Sequence, residues 1–389
     1  MNIKFVMYLS PALFLGLGAA FFNPLQSTFF IAGKGLSPDI VGIYLACSTG
    51  VALITSQIVG ALSDKGLNRR SIIQASAVCG MIGFSLMGSL DNIIALMAVG
   101  LTFVCLATIG APQVFAMAKE KYEGDSTFLL AAMRACISLS WVFAPPLAFL
   151  VGAIYGYETA CFLTSGMYGL VLISSFTLPS YKSSKKKEPQ KEYETSSNNS
   201  LYVAIPSLAL LYMAVNNYIM LMPVYITETL GFESWVPGML FGVTAGIEIP
   251  IILLTAKLTK YISHSAQMII ASVTGLIYFT LFSTAFDSIE YLIAIQLFNA
   301  VSIAFSSTSA LQIMQQILPT RIGFASTVYS NSIAGGMACG ALLGGQVAST
   351  MGYEAAMFFN AALCIGSVCF SLILWQKLSP NKKVMAYSK

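Results

Sequence analysis

Residues 40–70, IVGIYLACSTGVALITSQIVGALSDKGLNRR, combine a long apolar run with a basic loop. The first part, 40–62, is apolar or small at almost every position and carries no charge. A helix of about 20 apolar residues crosses the hydrocarbon core of a bilayer. The run ends in a loop with three basic residues, Lys65, Arg69 and Arg70. An apolar run of this length with a basic loop at its end is typical of a membrane-spanning helix.

The same pattern continues along the whole chain of 389 residues, of which 57% are apolar and only 9% are charged. A soluble domain is about 25% charged, so this composition excludes an ordinary soluble enzyme, a nucleic-acid binder and a disulfide-stapled secreted domain. The runs are too long for the alternating strands of a β-barrel. The sequence therefore predicts an all-α integral membrane protein with twelve transmembrane helices. In chain order, spans 1 to 12 are predicted at 5–33, 40–62, 71–90, 93–118, 127–155, 160–179, 201–227, 236–256, 266–286, 291–317, 322–350 and 355–376.

The basic residues predict how the spans are oriented. Twelve spans place both termini on one side, and Lys and Arg concentrate in cytoplasmic loops. With the termini in the cytoplasm, 18 of the 20 Lys and Arg residues lie on that side, Lys34 lies outside and Arg134 lies within a span. We therefore expect a multi-pass protein of the cytoplasmic membrane with both termini in the cytoplasm.

One polar segment divides the chain. Residues 180–200 are charged and lack apolar periodicity, which predicts a flexible cytoplasmic linker. The linker separates an N-terminal six-helix bundle, 1–179, from a C-terminal six-helix bundle, 201–389. Its lysines either contact anionic lipid headgroups or belong to a solvated connector. A short similarity between 111–113 and 310–312 is consistent with a duplication of one bundle.

The loop GALSDKGLNRR, residues 60–70, resembles the signature loop of the major facilitator superfamily, a Gly-x-Leu-Ala-Asp followed by a basic cluster. Asp64, Arg69 and Arg70 match this pattern. Leu67 stands where the family has a glycine, three residues after the aspartate. The resemblance implies the major facilitator fold of two six-helix bundles, and it implies a gating role for Asp64, Arg69 and Arg70.

Four further segments, 111–116, 134–146, 245–250 and 296–300, look like the bacterial sugar efflux transporter family. This resemblance implies a bacterial inner-membrane antiporter that exports sugars or sugar-like small molecules in exchange for protons, by alternating access. The alternative is a multidrug or siderophore efflux transporter on the same fold, which the many aromatic and Met residues favour. A membrane receptor or assembly factor that has lost transport is a third possibility, and charges inside the spans argue against it.

The sequence contains no nucleotide-binding loop and no aspartyl-phosphate context. We therefore expect transport driven by an ion gradient rather than by ATP, and no enzymatic activity. The lone histidine, His264, has no thiol or carboxylate cluster nearby, so no metal site and no cofactor are expected. The expected partners are a small-molecule substrate, protons and membrane lipid, with no nucleic acid, and the protein is expected to be a monomer.

Two charged residues lie deep inside spans, Arg134 in span 5 and Glu248 in span 8. Each costs roughly 2.5–3.5 kcal/mol at a helix centre unless it is paired or hydrated. Such residues mark substrate or proton pathways, so we expect both to contact substrate and to couple transport to protons. Counting from the cytoplasmic ends places them at similar heights, which predicts a separable ion pair between them. Pairing of each charge within its own bundle is the alternative.

Neutral polar side chains inside the spans complete the predicted substrate site. Amides donate and accept hydrogen bonds, as sugar hydroxyls require, and a tryptophan stacks on apolar sugar faces. Each amide has the alternative of bonding a neighbouring helix, and the tryptophan has the alternative of filling a gap between helices. The predicted residues are Asn23, Gln26, Gln113, Trp141, Asn216, Asn217, Tyr218, Gln296, Asn299 and Asn331.

Span 11 carries glycines at four-residue spacing, Gly336, Gly340 and Gly344. This double GxxxG pattern predicts a helix that packs closely against a neighbour. Sliding of the helix against that neighbour during transport is a second interpretation.

Overall fold

The structure, a computed structural model, describes residues 3–122, 124, 126–180, 200–284 and 288–378. In these residues the regular structure is helical, and ten helices are long and apolar enough to cross a membrane. The prediction of an all-α integral membrane protein is confirmed. The predicted spans 160–179 and 322–350 fall in two further helices that are not among these ten, Tyr157–Ser175 and Ile322–Met351. The predicted linker, apart from residues 180 and 200, lies outside the described residues.

Most of the predicted spans form one helix each. Several of these helices begin where a side chain accepts a hydrogen bond from the first turn, as Asn68 does from the backbone N–H of Arg70 and Ser263 from that of Ala266. Pro145, Pro146 and Pro250 lie inside such helices. In chain order, the helices of spans 2, 3, 5, 6 and 8 to 12 are Pro38–Asp64, Arg69–Ser89, Ser126–Tyr155, Tyr157–Ser175, Val236–Leu258, His264–Ser283, Ile289–Ile317, Ile322–Met351 and Tyr353–Leu378.

Spans 1, 4 and 7 each contain a π-helical turn. Span 1 turns at Asn23–Leu25, around a proline that lacks a backbone N–H. Single π-turns within α-helices are rare and are frequent at functional sites. In chain order, the helical segments are Ile3–Phe22, Gln26–Thr28 and the π-turn Phe29–Gly33 in span 1; Ile93–Val99, the π-turn Gly100–Val104, Cys105–Ala107 and Gly110–Lys121 in span 4; and Leu201–Val224 with the π-turn Tyr225–Thr229 in span 7.

The chain divides into two compact units. The first comprises Met1–Lys191 with Met222–Ala245, and the second comprises Glu192–Leu221 with Gly246–Lys389. In the first unit, Tyr168 of span 6 stacks on Phe84 with ring centroids 5.4 Å apart. In the second, Tyr218 packs edge-on against Tyr278 with centroids 5.4 Å apart. Each unit therefore has its own aromatic core.

A repeated tripeptide supports the predicted duplication. Gly-Tyr-Glu at 156–158 joins spans 5 and 6, and the same tripeptide at 352–354 joins spans 11 and 12. The two glycines have φ angles of 87° and 89°, a region that glycine enters without a steric penalty. The same short turn is thus built at the matching place in both halves of the chain.

Candidate functional site

A buried arginine organises one polar cluster at the junction of spans 2, 3 and 4. Arg69 is 4% exposed and donates to the Gln113 side-chain oxygen over 2.8 Å. Its guanidinium also lies 3.2 Å from Glu120 and 3.3 Å from Asp64. Ser63 donates a further hydrogen bond to the same Gln113 oxygen, over 2.9 Å. A planar guanidinium with several donors suits this arrangement, since it reaches two carboxylates and an amide at once.

The second arginine of the same loop is held elsewhere. Arg70 lies over the ring of Phe176, 5.6 Å from its centroid, in a cation–π contact with span 6. Asn68, the N-cap of the helix, donates to Ser180 Oγ over 2.8 Å. Gly66 has a φ of 106°, so the loop does contain a glycine-dependent turn one residue before Leu67. Of the predicted gating residues, the structure joins Asp64 with Arg69 and ties Arg70 to span 6.

Burial separates the predicted site residues into three groups. Fully buried side chains face other helices, whereas exposed ones are available to a ligand, to lipid or to water. The exposed residues are Asn23, Asp64, Arg134 and Asn331; the half-buried ones are Gln26, Arg70, Trp141, Asn216 and Glu248; and the buried ones are Arg69, Gln113, Asn217, Tyr218, Gln296 and Asn299.

Two of the three buried amides of the second unit, Asn217 and Gln296, bond to neighbouring helices, whereas Asn299 bonds within its own helix. Asn217 donates to the Asn360 side chain over 2.7 Å and to the backbone oxygen of Ala356 over 3.1 Å, both in span 12. Gln296 accepts from the hydroxyl of Tyr278 over 3.2 Å, and Asn299 donates to Gln296 over 3.3 Å. The contacts of Asn217 and Gln296 are the ones that the helix-bonding alternative requires, and Asn299 reaches another helix only through Gln296.

The half-buried carboxyl group of Glu248 interacts with a tyrosine of another helix. It occupies the middle of the helix Val236–Leu258, and within its own unit no described cation pairs with it. Tyr212 of span 7 lies close enough to Glu248 and to Ser306 of span 10 to interact with both side chains. Sequence reasoning missed Tyr212 and Ser306, because tyrosine and serine are common in transmembrane helices and neither carries a charge.

The first unit contributes four further accessible members of the predicted site. Arg134 is exposed and forms no ion pair with the described residues of its own unit. Asn23 lies at the turn of span 1, and Gln26 just beyond it donates to the hydroxyl of Tyr44 over 3.3 Å. Trp141 lies half-buried one turn before the proline pair of span 5. Asn23, Gln26, Arg134 and Trp141 therefore stay available for substrate contact.

Lys34, the basic residue predicted outside, binds two carboxylates at the end of span 1. Its ammonium group lies 3.1 Å from Glu158 and 3.2 Å from Asp91. Burial lowers the pKa of Lys34, but its hydrogen bonds to Glu158 and Asp91 and their negative charge outweigh that effect and raise it. The cluster ties span 1 to the starts of spans 4 and 6. Among the described residues, no three His, Cys, Asp or Glu side chains are grouped as a metal ion would require.

The sequence profile of the Major Facilitator Superfamily matches residues 11–332 and 205–386, which together cover nearly the whole chain. The chain belongs to the major facilitator superfamily. The resemblance seen in the loop after span 2 is thereby confirmed, and this major facilitator protein is a transporter by family.

Several curated proteins that are similar to this chain are named sugar efflux transporters. Sugar efflux transporter A of Escherichia coli (strain K12) is 28% identical over 376 residues, which are 94% of each chain. Sugar efflux transporter A of Dickeya chrysanthemi is 28% identical over 370 residues, 92% of this chain and 94% of the relative. Sugar efflux transporter C of Escherichia coli (strain K12) is 25% identical over 385 residues, 96% of each chain. This major facilitator protein thus resembles the sugar efflux family over nearly its full length.

Solved structures with the same fold are more distant in sequence. The nucleoside transporter NupG superimposes with a TM-score of 0.79 at 13% identity, over 96% of this chain and 99% of that one. A bacterial homologue of the human lysosomal transporter Spinster superimposes with a TM-score of 0.78 at 11% identity, over 97% and 98%. At these identities the similarity shows the major facilitator fold alone.

Replacing Arg69 with lysine tests the polar cluster of this major facilitator protein. Lysine keeps the charge but loses the planar fork that reaches Gln113, Glu120 and Asp64 together. We expect the free energy of unfolding to fall by about 1 kcal/mol, the value of a typical hydrogen bond, and transport to slow with an unchanged half-saturation concentration. Thermal unfolding in detergent and vesicle transport measure the two effects. The control is Lys65→Arg at an exposed position nearby, and equal behaviour of the two variants would contradict the prediction.

Alanine substitutions decide what the four buried amides do. If Gln113, Asn217, Gln296 and Asn299 serve helix contacts, each variant should lose about 0.5–1.5 kcal/mol of stability, the value of a neutral hydrogen bond. The half-saturation concentration for substrate should then stay within twofold of the wild type. Weaker substrate binding at unchanged thermal stability would instead assign these amides to the substrate site, as the sequence predicts.

Proposed function

We propose that this protein is a proton-coupled antiporter that exports sugars or sugar-like small molecules across the bacterial inner membrane by alternating access. The family supports transport, and the full-length similarity to relatives named sugar efflux transporters supports the substrate class. We place both termini in the cytoplasm on the distribution of Lys and Arg in the sequence.

The single observation that carries proton coupling is the position of Glu248. A charged group in the middle of a span is costly, so an acidic residue there is a functional candidate by default. Within its own unit no described cation forms an ion pair with Glu248. Tyr212 interacts with it electrostatically. A carboxyl group in such a place can bind a proton in one facing state and release it in the other.

The accessible polar groups support a hydroxyl-rich substrate. Asn23, Gln26 and Asn331 present amides that are at least partly exposed, and amides pair with hydroxyls as donors and acceptors. Asn216 donates to the backbone oxygen of Met337 over 2.7 Å, which fixes its orientation. The ion pair between Arg134 and Glu248 stays a prediction from the sequence.

Inverted membrane vesicles provide the test. A proton gradient with an acidic interior is imposed across the vesicle membrane. Uptake of labelled mono- and disaccharides is then measured with and without a protonophore. We expect gradient-dependent uptake of at least one sugar and none in vesicles that lack the protein. Uptake of cationic drugs or siderophores alone would replace the proposal with the multidrug or siderophore alternative. Sugar uptake that ignores the gradient would remove proton coupling.

A further inference from the structure

The side chain of Tyr44 in span 2 contacts the π-turns of spans 1 and 4. Its ring is 2% exposed and packs edge-on against Phe30, in the π-turn of span 1, with centroids 4.8 Å apart. Its hydroxyl accepts the hydrogen bond of Gln26 over 3.3 Å. The same hydroxyl lies against Gly100, the first residue of the π-turn of span 4. One side chain thus contacts both irregular segments.

The contact explains why residue 100 is a glycine. Its φ angle is −61°, so the backbone does not require glycine. A Cβ atom at this position would overlap with the Tyr44 hydroxyl oxygen and lie 2.8 Å from Cζ of the ring. The ring is enclosed and cannot withdraw easily. Because Gly100 has no side chain, it leaves the space that the Tyr44 hydroxyl occupies.

The hydrogen bond also determines how Gln26 is presented. Gln26 is half-buried, and among the described residues its side-chain oxygen accepts no hydrogen bond, while its nitrogen is directed at Tyr44. We infer that Tyr44 is a positioning residue for transport. Its hydroxyl holds the Gln26 amide so that the amide oxygen accepts a hydrogen bond from a substrate hydroxyl. The same hydroxyl connects this amide to the π-turn of span 4. The inference rests on the proposed function for the identity of the substrate as a polyhydroxylated compound.

The first experiment removes only the hydroxyl, in the substitution Tyr44→Phe. The half-saturation concentration is measured in inverted vesicles for the sugar that the wild type transports. We expect it to rise about 3- to 10-fold, the effect of one neutral hydrogen bond, with an unchanged maximal rate. The matched control is Tyr155→Phe at a tyrosine that is 69% exposed in the same unit. An unchanged half-saturation concentration in Tyr44→Phe would overturn the inference.

The second experiment needs no substrate. Gly100→Ala should lower the unfolding temperature in detergent, and adding Tyr44→Phe should restore part of the loss, because it removes the overlap with the hydroxyl oxygen while the ring carbon Cζ stays 2.8 Å from the new methyl group. Gly50→Ala in span 2 is the control, since a Cβ there meets nothing within 4 Å. A Gly100→Ala variant as stable as this control, or no rescue in the double variant, would overturn the contact. If the wild type carries only a non-sugar compound of the panel, the proposed function fails, and the Tyr44→Phe measurement is made with that compound.

Discussion

Replacing Glu248 with glutamine is expected to abolish proton-driven transport while leaving the protein in the membrane. Glutamine has nearly the same shape and forms hydrogen bonds, but it cannot exchange a proton. The variant also removes the cost of roughly 2.5–3.5 kcal/mol that a charge carries at the centre of a span, so insertion should not suffer. Transport into inverted vesicles driven by a proton gradient should fall to the level of vesicles without the protein.

A second assay separates coupling from substrate binding. Exchange of labelled for unlabelled substrate across the membrane needs no net proton movement, so Glu248→Gln should retain exchange if the carboxyl serves coupling alone. Loss of exchange as well would make Glu248 part of the substrate site. The matched control is Glu354→Gln, at an exposed glutamate in the first turn of span 12, which should transport normally. Undiminished gradient-driven transport in Glu248→Gln would contradict proton coupling through this residue.

The sequence predicts the spans because bilayer thickness sets their length and apolar character. It does not predict the π-turns in spans 1, 4 and 7, because a change from α to π hydrogen bonding leaves the apolar character of a segment unchanged. Pro24 marks the break in span 1, since proline cannot donate to the helix. Gly100 gives no such signal on its own. Its meaning depends on Tyr44, which lies in another span and is brought there only by the tertiary fold.

The site was harder to predict than the fold, because exposure depends on how each helix is rotated. Asn216 and Asn217 are neighbours in span 7 and look equivalent in the sequence. Successive residues of an α-helix differ by about 100° around the axis, so Asn216 is half-buried against span 11 while Asn217 is fully buried against span 12. Gln113 is an analogous case, because only the fold reveals that Arg69 and Ser63 use its side-chain oxygen.

The glycine pattern of span 11 is a case in which spacing alone was sufficient. Gly336 packs against the backbone of Ala209, Gly340 against that of Met213, and Gly344 against the side chain of Asn217. Both helices use residues four apart, so each glycine of span 11 meets one turn of span 7. The prediction of close helix packing is confirmed.

Because of this packing, we expect Gly340→Ala to lower the stability more than any other glycine-to-alanine substitution in the second unit. A Cβ atom there would overlap with the backbone oxygen of Met213 and lie 3.0 Å from its Cα, and a backbone cannot turn aside as a side chain does. The two helices must separate, and we expect a loss of about 1–3 kcal/mol, typical of overpacking. Gly335→Ala is the matched control five residues away in the same helix, because a Cβ at residue 335 meets nothing within 4 Å. It should be neutral or slightly stabilising, since alanine favours a helix over glycine. Thermal unfolding of both variants in detergent measures the difference, and equal stability would show that spans 7 and 11 do not approach as closely as the glycines indicate.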